Sequence, residues 1–191
     1  MVEALRAFPH VDLVAMDVAG DWRGMFWRFE PASDPTVDVM VSRDVDSRVG
    51  DREKAAVDEW LASDADFHVM RDHVEHTAPV MGGMWGVRNR LLADLCALME
   101  AYPKVDEWQT DQRFLAEVVL PRIRGRTFVH DEIFTGRPFP TRRRGRDFVG
   151  RTFDENDRPL SSGPTHWEWR LRRAVHALRG RQVRTTWGVG D

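Results

Sequence analysis

The chain has 191 residues, of which 31 are acidic and 28 basic, so its formal net charge is −3. This length suits one domain with a substantial core. No run of 18 apolar residues and no charged-then-apolar leader is present, so we expect neither a membrane span nor a secretory signal. The single cysteine, Cys96, excludes an internal disulfide; we expect it in the core of a cytoplasmic protein.

The predicted elements alternate between helices and strands. A short helix over 2–8 precedes a strand over 11–16, and a helical turn over 24–29 leads to a buried central strand over 37–42. The later predictions are a helix over 51–62 with Asp51 as N-cap, a strand over 67–70, helices over 90–102 and 110–120, a strand over 127–130 and an amphipathic helix over 167–178. This alternation predicts an α/β fold with ligands beyond the carboxyl ends of its strands.

Two carboxylates, Asp44 and Asp46, follow the strand predicted at 37–42. In an extended backbone, residues i and i+2 point the same way, so both side chains could converge on one hard cation. The pattern therefore predicts a metal site at this edge of the sheet, although Asp-x-Asp alone is more often a solvated turn.

Six motifs occur in a fixed order along the chain. They are Arg43-Asp44-Val45-Asp46-Ser47-Arg48 and residues 51–60, 67–73, 81–86, 111–115 and 129–134. In this order, from about residue 11 to about residue 157, they resemble a group of bacterial GT-A-type glycosyltransferase-like proteins. The resemblance implies a Rossmann-like mixed sheet flanked by helices in a domain over 1–157, followed by a basic extension over 158–191.

The same resemblance implies a metal-dependent glycosyltransferase that moves a sugar from a nucleotide diphosphate to an unknown acceptor. Asp44 and Asp46 would hold Mn²⁺ or Mg²⁺ on the diphosphate, with His130 as third ligand, and Arg137 would stabilise the leaving diphosphate. Asp111 and Gln112 would contact the donor sugar or its oxocarbenium-like transition state. His130 could instead be a hydrogen-bonding strand residue, and Asp111 could simply suit a helix N-terminus.

Two further groups are candidates for sugar contacts. Asp72 and His73 follow a predicted strand and could orient a sugar hydroxyl or remove the acceptor proton, unless this loop is charged only because it is exposed. Gly82, Gly83 and Trp85 could form a sugar platform, because indole faces stack on pyranose rings. Trp85 could equally be a core residue.

The resemblance also predicts what the amino-terminal region lacks. Proteins of this group begin with a strand-helix-strand unit that holds the base and ribose, and Met1 falls after most of it. We therefore expect the strand at 37–42 to have an unpaired neighbour position, an open groove near Asp44 and a tendency to form homodimers.

Charge is unevenly distributed along the sequence. Residues 137–191 hold 13 arginines against 6 acids, whereas residues 1–136 hold 15 basic and 25 acidic residues. The arginines over 142–146 could contact the phosphates of a sugar nucleotide or an anionic membrane surface, or could form a solvated loop. No nucleic-acid-binding motif accompanies them.

Two other functions compete with the transferase. One is a non-catalytic carbohydrate-binding or interaction module derived from the same fold. The lesser alternative is a phosphatase of the haloacid-dehalogenase type, which also places Asp-x-Asp after a hydrophobic strand but continues to Thr or Val where this chain has Arg48.

Overall fold

The structure is a computed structural model that describes residues 2–18, 20–103, 107, 109–134, 137–163, 168, 171 and 174. Its strands are β1 Val39–Arg43, β2 Phe67–Arg71, β3 Met84–Arg88 and β4 Thr127–Asp131. Its helices are α1 Val2–Arg6, a 3-10 helix at Trp22–Ser33, α2 Asp51–Leu61, α3 Leu95–Ala101, α4 Thr110–Phe114, a π-helical turn at Leu115–Val119 and α5 Leu120–Ile123. The fold is mixed α/β, as predicted.

In the described part of the chain, the strands form one mixed sheet of order β1-β3-β2-β4. Strand β3 is antiparallel to β1 and to β2, whereas β2 and β4 are parallel. Strand β1 therefore lies at an edge of this sheet, and the prediction of a central strand there is wrong. Its burial alternates, with Val39 exposed and Met40 buried, because one of its faces is covered more completely than the other.

The core lies mainly on the face of the sheet that the 3-10 helix and α3 cover. Trp85 of β3 stacks on Phe67 of β2 with ring centroids 5.2 Å apart and contacts Phe29 at 5.4 Å. All three side chains are fully buried. On the opposite face, Trp60 of α2 stacks on His68 at 5.1 Å. Both faces of β2 are thus covered, and its polar residues His68 and Arg71 are buried together with its apolar ones.

Strand β3 was not predicted, because Gly82, Gly83 and Gly86 suggested a loop close to a ligand. Gly86 lies instead within β3, opposite Val41 and His68. A Cβ added at Gly86 would lie 2.9 Å from the Trp60 ring and 3.0 Å from the Met40 carbonyl oxygen. The glycine therefore allows α2 to pack closely on the sheet.

The strand predicted over 11–16 is not formed. This segment has no regular structure, and Val14 is 80% exposed. The prediction rested on alternating apolar residues bounded by Pro9 and Gly20, but in the described part of the chain no strand pairs with the segment. Cys96 is also exposed rather than in the core, because it lies on the outer side of α3.

The helix predicted over 110–120 continues past Pro121. Helix α4, the π-helical turn and α5 follow one another without a break to Ile123. Proline removes one backbone donor and clashes with the carbonyl four residues earlier, so an ordinary α-helix would end there. The wide turn before Pro121 changes the hydrogen-bond pattern at this point, and Leu120 donates its N–H to the Leu115 carbonyl.

Two smaller differences concern helix boundaries. Helix α2 agrees with its predicted range, but its N-cap is Gly50 rather than Asp51. Helix α3 begins at Leu95 rather than at residue 90, after turns in which Asn89 and Arg90 have positive φ.

The helix predicted over 167–178 lies largely outside the described residues. Within the described ranges, no helix has the length and apolar character needed to cross a bilayer.

Candidate functional site

The side chains of Asp44 and Asp111 meet at one guanidinium. Nη1 of Arg28 pairs with Oδ1 of Asp44, and Nη2 pairs with Oδ2 of Asp111. Asp111 is buried, with 2% of its side chain exposed, whereas Asp44 is 41% exposed. The cluster therefore has an anchored carboxylate inside and an accessible carboxylate at the surface.

Three separate segments position this cluster. Asp44 directly follows β1, Asp111 lies in the first turn of α4, and Arg28 extends from the 3-10 helix. Two resemblance motifs that are far apart in sequence thus meet, as predicted for one site. Gln112 follows Asp111 in α4 and is half-buried.

Asp44 and Asp46 lie on a turn and not in extended backbone, so the geometric premise of the predicted pair is wrong. Both the N–H and the Oγ of Ser47 donate to the Asp44 carbonyl oxygen, at 3.2 and 2.7 Å. The Asp46 side chain is exposed, and its carbonyl accepts a 2.8 Å hydrogen bond from the Phe153 N–H. The strand ends at Arg43, whereas the i, i+2 argument requires extended backbone over 44–46.

Gly82 and Gly83 lie directly against the two carboxylates. A Cβ added at Gly82 would lie 2.6 Å from Oδ2 of Asp111, and one added at Gly83 would lie 2.8 Å from Oδ1 of Asp44. Ser42 fixes this loop by donating from Oγ to the Gly82 carbonyl at 2.8 Å. The glycines are therefore part of the predicted site, through close backbone approach.

Trp85 is not a sugar platform. It is fully buried among Phe29 and Phe67, so no ligand reaches its face. Its position two residues after Gly83 places it inside β3, where the core interpretation applies.

His130 does not join the two aspartates. Val129 and Ser42 lie in one row across all four strands, a separation of roughly 14 Å at ordinary strand spacing. The ring of His130 is engaged locally, with Nδ1 2.8 Å from Nε2 of His68 and Nε2 3.2 Å from a Glu59 oxygen. Burial lowers the pKa of His130. It is a buried hydrogen-bonding residue of β4.

Arg137 belongs to the same distant edge of the sheet. Its backbone extends β4 by donating to the Val129 carbonyl at 3.0 Å. Its guanidinium lies 3.4 Å from Glu59 and 4.3 Å from the centre of the Phe128 ring. A role for Arg137 on a diphosphate held at Asp44 is therefore not supported by its position.

Asp72 is an internal ion-pair residue. It is fully buried between Arg52, at 2.9 Å, and Arg143, at 2.6 Å. The Val149 N–H donates to it at 2.9 Å. With its oxygens committed to these donors, Asp72 cannot take a proton from an acceptor, and the predicted catalytic role is not supported.

His73 is also buried. Its ring stacks on Phe148 at 4.4 Å, and burial lowers its pKa. The neighbouring His76 accepts hydrogen bonds on Nδ1 from the backbone N–H groups of Asp72 and His73. This loop is ordered and internal, contrary to both sequence interpretations of it.

Among the described residues, no group of three or more His, Cys, Asp and Glu side chains has a geometry that could hold a metal ion. A divalent cation bound through substrate phosphates needs only one or two protein carboxylates, however. Asp44 and Asp46, both accessible on one turn, provide that number.

Arg28 was missed by the sequence analysis. It lies in the aromatic-rich segment 24–29, where nothing marks one arginine as functional. The Arg28 guanidinium contacts the carboxylates of both Asp44 and Asp111, so its positive charge offsets the repulsion between these two acids. Arg43 was missed as well: it pairs with the buried Glu53 at 2.6 Å and donates to the Gly83 carbonyl.

Fold and site together define a mixed α/β protein with a paired-carboxylate cluster beyond the carboxyl end of an edge strand. In comparisons with protein-family models, curated proteins and solved structures, none matched the chain.

Proposed function

We propose that the chain is a metal-dependent glycosyltransferase that takes a sugar from a nucleotide diphosphate and binds that donor at the Asp44–Arg28–Asp111 cluster. The observation that carries this proposal is the convergence of Asp44 and Asp111 on Arg28, against the backbone of Gly82 and Gly83. Each segment except that of Arg28 belongs to a motif of the glycosyltransferase resemblance. A mixed sheet with flanking helices is compatible with the GT-A type that this resemblance implies.

Asp111 and Arg28 have complementary roles in this proposal. Asp111, with 2% of its side chain exposed, fixes the Arg28 guanidinium from inside the protein, and its negative charge can stabilise at a distance the positive charge that develops at the anomeric carbon. Arg28 can donate to the departing diphosphate as negative charge accumulates there. Because Asp111 is buried, little reorganisation of the carboxylate is needed during the reaction.

Asp44 and Asp46 are the residues that would hold Mn²⁺ or Mg²⁺. Carboxylate oxygens suit these hard cations, and the accessible turn leaves room for phosphate oxygens and water to complete the coordination. The ion, when bound, would neutralise charge on the diphosphate. His130 has no part in this set, and Asp72 and His73 are not assigned to the chemistry.

Calorimetric titration tests the proposal. We expect wild-type protein to bind at least one of a panel of nucleoside diphosphates only when Mn²⁺ is present. Asp44→Asn and Asp111→Asn should each weaken this binding at least tenfold. The matched control is Asp38→Asn, an exposed acid beside the opposite end of β1, which should leave affinity unchanged. Equal affinities in all variants, or no binding of any diphosphate, would contradict the proposal.

A second assay separates the transferase from the competing functions. Slow Mn²⁺-dependent hydrolysis of a nucleotide sugar, lost in Asp111→Asn, is expected of a transferase without its acceptor. A carbohydrate-binding or interaction module would bind sugar but would not hydrolyse the nucleotide sugar. A phosphatase would hydrolyse a simple aryl phosphate ester, and that activity would depend on Asp44 without requiring a nucleotide.

A further inference from the structure

A cleft of about 300 Å³ lies beside the candidate site and is not used by the proposed donor. Its walls are the loop over 48–50, the first turn of α2, and the segment 141–149. Glu53 links the cleft to the site, because it pairs with Arg43, and Arg43 donates to the Gly83 carbonyl. A molecule in this cleft would therefore lie next to the Asp44 turn.

Arginines from three segments line the cleft: Arg48, Arg52, Arg142 and Arg144. Arg52 is held rigidly from beneath by Asp72 and by Glu132, at 2.9 and 3.0 Å. Arg142 and Arg144 are exposed at the rim. Among the described residues, Arg144 pairs with Asp51, in an exposed contact of 3.3 Å that a bound anion could replace at little cost.

The backbone of α2 adds to this positive character. The helix has 11 residues, and its N-cap is Gly50, which provides no side-chain cap. The first-turn residues Asp51, Arg52 and Glu53 line the cleft, and the cap provides no side-chain acceptor for the amides of this turn. Oxyanions bind favourably at such helix ends.

Two residues that line the cleft favour a ligand that also carries hydroxyl groups. Oε2 of Glu53 and Oγ1 of Thr141 are buried, and within the described ranges neither has a hydrogen-bond partner. The Glu53 side chain is only 3% exposed, and burial raises its pKa. Buried polar atoms are nearly always satisfied, so each of these two oxygens can take a further hydrogen bond. A hydroxyl group can serve both.

We propose that this cleft binds a phosphorylated sugar, with its phosphate against Arg142, Arg144 and the first turn of α2, and its hydroxyl groups on Glu53 and Thr141. Under the proposed function, on which this role rests, such a molecule is the acceptor. Its phosphate could belong to a soluble sugar phosphate or to the headgroup of a lipid.

Titration with glucose 1-phosphate, inorganic phosphate and methyl glucoside tests the proposal on the full chain. Wild type should bind glucose 1-phosphate more tightly than either fragment. The double variant Arg142→Glu/Arg144→Glu should weaken binding of both phosphates at least tenfold. Both side chains are exposed, so folding should be retained. Arg124→Glu, an exposed charge reversal at the opposite end of the sheet, is the matched control and should change neither affinity.

Thr141→Val separates hydroxyl recognition from phosphate recognition. It removes only an oxygen that has no partner among the described residues, so the fold should not be weakened. We expect about fivefold weaker binding of glucose 1-phosphate and unchanged binding of inorganic phosphate. Unchanged affinity for glucose 1-phosphate in Thr141→Val, or in the double arginine variant, would overturn the proposal.

Two additional arms identify the source of the phosphate and keep the proposals separate. A lipid headgroup would be supported if the protein cosediments with phosphatidylcholine vesicles only when these contain phosphatidylinositol, and if the double variant does not cosediment. Binding of glucose 1-phosphate without cosedimentation would support a soluble source, and binding to neither would overturn the proposal. Asp44→Asn should retain its affinity for glucose 1-phosphate. Loss of donor binding can therefore be distinguished from loss of binding in the cleft.

Discussion

Asp44 and Asp111 share the two terminal nitrogens of one guanidinium, although they come from separate segments of the chain. Asp111 is the buried member, so its charge depends on Arg28 for compensation. A buried carboxylate without a partner is costly, whereas an accessible one is hydrated. The stability of this corner of the protein and the geometry of the candidate site therefore depend on the same residue.

We predict that Arg28→Gln lowers the free energy of unfolding by about 1–3 kcal/mol, because it leaves Asp111 uncompensated. Adding Asp111→Asn should restore part of the loss, since the two changes are coupled. Arg28→Lys, which keeps the charge but cannot bridge both carboxylates, should be intermediate. Urea denaturation of these three variants and of Asp111→Asn alone measures these effects, and strictly additive losses would show that the pair is not coupled.

Gly83→Ala should displace the Asp44 carboxylate, because the new Cβ would lie 2.8 Å from Oδ1. Asp44 is accessible enough to move, so we expect a stability cost of only about 1 kcal/mol. Mn²⁺-dependent binding of a nucleoside diphosphate should nevertheless weaken clearly. Gly50→Ala is the control, because no atom lies within 4 Å of its added Cβ. Equal binding by the two alanine variants would argue against a role for the Asp44 position.

Asp72→Asn should be among the most destabilising conservative changes in the chain. It leaves Arg52 and Arg143 without their shared carboxylate in a buried position, which typically costs about 3–5 kcal/mol. Asp58→Asn, in an exposed pair with Lys54, should cost less than about 0.5 kcal/mol. Chemical denaturation compares them. A stable but inactive Asp72→Asn protein would instead favour the catalytic role suggested by the sequence.

Stability should fall as the pH is lowered through the range of the histidines. Burial, with a smaller effect of a neighbouring histidine, lowers the pKa of His68 and of His76 to about 3. Above about pH 6.5 both are neutral in the folded and unfolded states and contribute no pH dependence. Between about 6.5 and 3 only the unfolded chain takes up these protons, so stability is lost on acidification.

Each of these histidines should reduce the free energy of unfolding by up to about 1.4 kcal/mol per pH unit in that window. Urea denaturation at pH 7.0 and 5.0 measures the loss before most carboxylates titrate. The same free energy at both values would show that the two rings are accessible to protons in the folded protein.

The sequence was sufficient for elements with a clear period and for acids in recognisable motifs. Helix α2 and strands β2 and β4 agree with their predictions because their apolar residues recur at helical spacing or form short β-branched and aromatic runs. Asp44 and Asp111 were assigned to one site from motif order alone, and the structure brings them together.

Spatial order was the main information that the sequence lacked. His130 lies near the end of its strand and Asp44 directly after its own, but β3 and β2 separate these two strands in the sheet. Because the glycines in and before β3 suggested a loop, neither this strand nor its position between β1 and β2 was predicted. Arg28 could not be recognised either, because an arginine acquires its role only from the acids that the fold brings to it.

The wide helical turn at Leu115–Val119 has a consequence for Asp111. In an uninterrupted α-helix, positions 111 and 123 would point in directions that differ by roughly 120°. Asp111 and Ile123 are nevertheless both buried, one beside Arg28 and the other in the apolar core. The wide turn takes up extra residues and reduces that angular difference. The wide turn therefore allows one continuous helical segment to bury Ile123 in the core at one end and to direct Asp111 toward the candidate site at the other.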